Sequence, residues 1–271
     1  MRRLLVFLFI ALFLSACTHK KPAGSAETPT SNRQLINELA FEKRPFLAVF
    51  PHSSNKLLTL FLDRVREAKS ATINVEYLAG NSLKGGRTSV NFPISQPFAQ
   101  AFLLGSCSSG GKCSFDRDLL TGNLKTRLDL IDGSTHILKS DFVFINGSSV
   151  TPDGKVEIVP QASKSNLILV DTQGLPADPP GTPAYSPLAI TSTSNQKITA
   201  ELKVNVADVR SAVYYDGESF KPIDISPSDN GVSLKINHLP WVREVQIVRD
   251  DLKGAGETQQ LSIFGPVLLL K

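Results

Sequence analysis

The stretch LKTRLDLIDGSTHILKSDFVFI, Leu124 to Ile145, decides the fold. Leu124, Thr126, Leu128 and Leu130 alternate with Lys125, Arg127 and Asp129. That is the period of two expected when one face of a strand is buried and the other is wet. Asp132-Gly133-Ser134 supplies a turn, and a second strand follows from Ile137 to Phe144. The segment therefore predicts a β-hairpin. VTPDGKVEIV (150–159) repeats the pattern around Pro152, Asp153 and Gly154.

Working outward, most of the chain reads the same way. ATINVEYLAG (71–80), with Ile73, Val75 and Tyr77 on one side, is a strand, and RTSVNF (87–92) and AQAFLLGSC (99–107) are two more. NLILVDTQG (166–174), KITAELKVNV (197–206), SAVYYDG (211–217), FKPIDI (220–225) and GVSLKINHL (231–239) continue the series. REVQIVRDD (243–251) and TQQLSIFG (258–265) predict a final hairpin. LPADPPGTPAYSP (175–187) is too rich in proline for a central strand, because each proline removes a ladder donor. Two segments read differently. SNRQLINELAFE (31–42) predicts a short helix, capped by Ser31 or Asn32 with Leu35, Leu39 and Phe41 on its apolar side. KLLTLFLDRVREAKSA (56–71) fits a helical stripe and a strand alternation alike. Strand is preferred for residues 57–64, because LTLFLDRVREAKSATINVEYLAG (58–80) loosely echoes ITAELKVNVADVRSAVYYDGE (198–218).

Strands about ten residues apart with Gly, Pro, Asn and Asp punctuation suggest β-sandwiches. The fold class expected is mainly β: two tandem sandwich domains, 34–162 and 163–271, divided at the polar run around Gln161 to Ser165. The arrangement resembles tandem immunoglobulin-like or fibronectin-III-like modules in architecture only, since the Cys–Trp–Cys signature of antibody-type domains is absent.

The N-terminus carries a second resemblance. Arg2 and Arg3 precede an apolar run from Leu4 to Leu14, then Ser15, Ala16 and Cys17. This is the layout of a secretory signal, and the run is too short for the ~20 apolar residues of a bilayer span. Its end, Leu14-Ser15-Ala16-Cys17, resembles the bacterial lipobox. The resemblance implies removal of residues 1–16 and lipidation of Cys17. Several acyl chains give a stable anchor where one holds marginally. Thr18 after the cysteine, rather than Asp, resembles lipoproteins sorted to the outer membrane. Residues 17–33 then read as a lipidated, flexible tether rich in Lys, Pro, Gly, Ser and Thr. Lys20 and Lys21 stand where they would touch anionic headgroups, or simply keep the tether soluble.

Loss of residues 1–16 leaves 27 basic against 25 acidic side chains. With no basic run interleaved with aromatics, nucleic acid is not an expected partner. Once Cys17 is assigned to the anchor, Cys107 and Cys113 remain, framing CSSGGKC. Export permits a disulfide between them. A redox pair, metal ligation or free thiols are the alternatives, disfavoured by the spacing.

No motif names a reaction. His19, His52, His136 and His238 lack metal-ligand spacing and read as surface or loop histidines. No G-x-S-x-G elbow or P-loop order appears. Asp116/Asp118 and Asp250-Asp251 read as solvated turns rather than calcium loops. No metal, cofactor or catalytic residue is expected. Adjacent strand residues Tyr214 and Tyr215 face opposite sides; with Phe220 and Trp241 they form the candidate contact patch. The expectation is a non-enzymatic, lipid-anchored envelope protein that binds or scaffolds another envelope component. Two alternatives stay open, an adhesin or carbohydrate-binding lipoprotein and a hydrolase with a dispersed acid/base pair.

Overall fold

The computed structural model describes residues 36–93, 97–161, 166–228, 230–249 and 256–271. Cys17, the tether and Asp250-Asp251 lie outside the described residues, as do 162–165 at the expected domain boundary.

The chain is mainly β. A single turn of 3-10 helix, Phe41–Lys43, precedes β1 (Phe46–Pro51) and β2 (Leu57–Asp63). Then come β3 (Ala68–Ala79), β4 (Ser82–Asn91), β5 (Phe98–Leu103), β6 (Gly105–Cys107), β7 (Cys113–Phe115), β8 (Leu119–Leu130) and β9 (Thr135–Phe144). β10 (Ser149–Val150), β11 (Val156–Pro160), β12 (Leu167–Asp171), β13 (Leu188–Ser192) and β14 (Ile198–Val204) follow. The last six are β15 (Ser211–Tyr215), β16 (Phe220–Ile223), β17 (Ile225–Ser228), β18 (Gly231–His238), β19 (Trp241–Arg249) and β20 (Gly256–Leu270).

The hairpin of the opening stretch is β8–β9, with Leu128 opposite His136 and Thr121 opposite Val143. The ambiguous segment 57–63 is strand: β2 pairs with β1 from Leu58 to Asp63. The expected helix over 31–42 does not form in its described part. Ile36 makes a parallel bridge to Ile137. Asn37 turns left-handed (φ 54), and its side chain bonds the backbone of Lys139 as donor (3.0 Å) and acceptor (2.8 Å). Such side-chain bonds give the backbone an alternative to a helix. Arg44, before Pro45, is extended (ψ 142), as proline requires of its predecessor.

The largest sheet runs β1-β2-β5-β19-β20-β13-β12-β9-β8-β3-β4, with β15 and β16 attached beside β20. Its neighbours are antiparallel except β19 and β5. A smaller sheet runs β10-β11-β14-β18-β17. The expected division into 34–162 and 163–271 is corrected by this order. β12, β13, β19 and β20 come from the expected second domain yet sit in one sheet with strands of the first, and residues 34–271 form one compact unit.

The physical reason is a layer used on both faces. One core gathers Phe46, Phe50 and Phe61 edge-to-face with Leu124, Leu128 and Phe142. Ile168 and Val170 of β12 point into it. Leu167 and Leu169, from alternate positions of the same strand, enter a second core against Ile158, Leu202 and Leu234. β20 changes sides along its length. Leu261 and Ile263 face the first core, whereas Val267 and Leu269 face the second. An ideal strand would keep odd residues on one face. The exchange occurs at Gly265 (φ 92), where the register with β13 shifts between Leu188 and Ile190. One extra residue in a bulge reverses the alternation.

Polar pins tie the layers. Buried Gln173 donates to the carbonyls of Leu124 (3.2 Å) and Leu138 (3.5 Å). Thr191 donates to Val49 O at 2.9 Å. At Gly122 a Cβ would stand 2.2 Å from Phe142 Cζ and 2.4 Å from Glu76 O, so only glycine admits this approach. Cys107 and Cys113 face each other in the β6–β7 ribbon and form the expected disulfide. Its loop is short, so it contributes toward the low end of the ~2–4 kcal/mol typical of disulfides.

Candidate functional site

The sequence-predicted patch divides across β15. Tyr214 stacks on Phe264 (5.2 Å between centroids) and lies 4.8 Å from the His238 ring, on the second-core side. Tyr215 faces the other way and meets Phe220 (5.4 Å) and Trp241 (5.9 Å). Trp241 leans on Phe46 at 6.5 Å, and its Nε1 donates to Gly265 O at 2.7 Å. Three of the four residues come together, half-buried, with their rings engaged by one another. Trp241→Phe removes the bond to Gly265 at the bulge. The expected loss is about 1 kcal/mol, read as a lower denaturation midpoint with unchanged slope.

A cleft of about 270 Å³ lies elsewhere, where five separate connections meet. These are the β1–β2 turn, the β5–β6 junction, the segment entering β8, the end of β9 with the following turn, and the start of β12. Leu57, Leu104, Leu119, Phe144 and Leu167 give it an apolar floor. Its rim is polar.

His52 anchors one wall. It is buried at 6% exposure rather than lying on the surface as its loop position predicts. Nδ1 accepts the Ser54 backbone amide proton (3.1 Å) and lies 2.8 Å from Ser54 Oγ. Nε2, which must then carry the ring proton, donates to Glu257 at 2.6 Å. Arg249 bonds the same carboxylate at 2.6 Å and, with His52 adding to it, holds the Glu257 carboxyl below its usual range. Ser54 and His52 have the residue types of a nucleophile–base pair. Here Nδ1 receives the serine's own backbone amide, so the contact clamps a tight turn.

Asp116 is not the solvated residue its sequence context suggests. Its side chain is 7% exposed, accepts from Tyr77 Oη at 2.8 Å and pairs with Lys84. Arg117 and Asp118 are exposed at the rim, and among the described residues neither side chain has a hydrogen-bond or ion-pair partner. Asp118 is left-handed (φ 53), its carbonyl held by the Gly80 amide. Asn166 donates to Asn55 across the cleft mouth; nearby, the Asn146 backbone amide donates to Ser149 Oγ (3.3 Å), while its side-chain amide has no partner among the described residues. The described residues contain no group of three His, Cys, Asp or Glu side chains placed to hold a metal ion.

A second electrostatic feature has no local signature in the sequence. Val170 of β12 is opposite Phe142 of β9, so the next position sets Asp171 against Asp141. Asp171 is 8% exposed and its Oδ1 has no partner. Burial first, then Asp141 and Asp153, push its carboxyl up to about 8. Burial and Asp153 raise Asp141 as well. Asp153 accepts from Tyr185 Oη at 2.9 Å. Burial and the same acids push the Tyr185 phenol up.

No family model, curated protein or solved structure matches the chain. The cleft and the acidic cluster therefore stand on their own geometry.

Proposed function

We propose that this protein is a non-enzymatic, lipid-anchored component of the outer membrane that uses the cleft to bind or scaffold another envelope component. Leu14 to Cys17, followed by the polar tether, supports the anchor. The observation that carries the binding role is the rim itself. Among the described residues the side chains of Arg117, Asp118 and Asn146 stand without partners over an apolar floor, whereas neighbouring His52, Asp116 and Glu257 are paired. Free polar groups converging on an apolar pocket are what fix a ligand's orientation. They sit on turns held by a rigid scaffold, the usual place for contacts.

The test has two arms. Cys17→Ser should leave an unprocessed protein that no longer fractionates as a lipoprotein. A processed, membrane-bound Cys17→Ser form overturns the anchor. A photo-crosslinking residue in place of Arg117 should capture a reproducible envelope component from intact cells. Capture of bulk lipoproteins and abundant porins alone overturns the binding role.

A further inference from the structure

The cleft's chemistry narrows its ligand. Its volume of about 270 Å³ lies just below the ~300–1,000 Å³ of pockets for drug-sized molecules. It suits one ring and a substituent rather than an extended chain. The rim has no net charge to offer: Arg117 and Asp118 cancel, and Asp116 is neutralised by Lys84. An uncharged ligand is therefore favoured.

The amides are more specific. The Asn166–Asn55 bond consumes one side-chain N–H and one carbonyl. Whichever way the two amides are oriented, one whole amino group and one whole carbonyl oxygen remain unused between them. That pair complements a ligand amide, which brings one N–H and one C=O. The apolar floor beside it, with Leu57, Leu119 and Phe144, takes a methyl group. An acetamido substituent has all three features, and Arg117 and Asp118 are the planar groups that bind neighbouring hydroxyls in two-pronged fashion.

A peptide strand also carries amides, but it needs a free ladder. Four backbone N–H groups around the cleft are already used: His52 on Leu57, Leu104 on Lys56, Asp116 on Leu104 and Ile145 on Leu167. Their use disfavours strand addition here.

We infer that the cleft is a subsite for an uncharged N-acetylated amino sugar, presented as one unit of a glycan. This inference rests on the binding role proposed above and names its ligand class.

The experiment is saturation-transfer NMR on the full chain in a detergent without a sugar headgroup. The probes are N,N′-diacetylchitobiose, cellobiose as its hydroxyl counterpart, and an N-acetylated dialanine amide. Diacetylchitobiose should bind with transfer strongest at the acetamido methyls. Cellobiose and the Asn166→Ala variant should each weaken binding about tenfold, the effect of losing one to two hydrogen bonds. A melting curve unchanged from the parent shows that Asn166→Ala is folded. Equal binding of cellobiose, binding untouched by Asn166→Ala, or displacement by the dialanine amide overturns the sugar assignment. So does the absence of diacetylchitobiose binding. If the Arg117 crosslinker still captures an envelope component, the binding role survives that failure; if both fail, both readings fall.

Discussion

Ile168→Ala and Leu169→Ala are expected to lower one and the same unfolding transition, each by about 2–5 kcal/mol. Both side chains are 1% exposed, and they are neighbours in β12 that point to opposite cores. Each truncation leaves a cavity in a different core, so each loses transfer energy and packing contacts. Were the cores independent domains, the full chain would melt in two steps and each variant would move one step alone. A shared layer forbids that, because neither core can open without exposing the other's half of β12, β13 and β20. At ~2–4 °C per kcal/mol for chains of this size, the midpoint should fall by about 4–20 °C in both variants. Two separable transitions in calorimetry, one sensitive to Ile168→Ala and the other to Leu169→Ala, would sink the shared-layer account.

This layer also shows where the sequence could be read and where it could not. Strands wet on one face announce themselves, as Leu124 to Leu130 do, because alternation has a physical cause that acts locally. A strand buried on both faces loses the alternation. Leu57 to Leu62 is such a run, fully buried, which is why its spacing fitted a helix equally well. Leu167 to Val170 was legible as a strand, but its unbroken apolar run already implied cover on both sides. That implication argues against a domain boundary just before it. Local polarity alone suggests a boundary there, whereas domain structure is decided by which faces are shared. The cleft was less legible still. His52, Arg117, Asn146 and Asn166 lie in four turns separated by tens of residues, and no spacing rule links them. The aromatic patch failed to stay intact for a simpler reason: adjacent residues in a strand face opposite ways, so Tyr214 and Tyr215 could not serve one surface.

Asp171→Asn should stabilise the protein at pH 9 by a few kcal/mol and leave it almost unchanged at pH 4, at ~1.4 kcal/mol for each unit by which a pKa is displaced. The sign follows from proton counting. In the unfolded chain Asp171 ionises near its ordinary value of 3.8, whereas in the fold it keeps its proton up to about 8. Between those values the folded state binds the extra proton, so stability falls as pH rises. The favourable term is fully present below the ordinary value and is gone above the raised one. Burial is the main cause, and Asp141 and Asp153 add to it. Like charges directly opposite across an antiparallel pair repel, and the unpartnered Oδ1 has nothing to offset its lost hydration. Asparagine keeps the shape and removes the charge. The comparison at pH 4, where the folded parent is itself neutral at this position, separates the electrostatic gain from any change in hydrogen bonding. Because Asp171 ends β12, its ionisation acts on the strand that both cores share, so the pH dependence should appear in the single transition that Ile168→Ala and Leu169→Ala lower. A parent–variant difference that stays flat from pH 4 to pH 9 would mean that Asp171 is solvated in the folded protein and that the end of β12 is open to water.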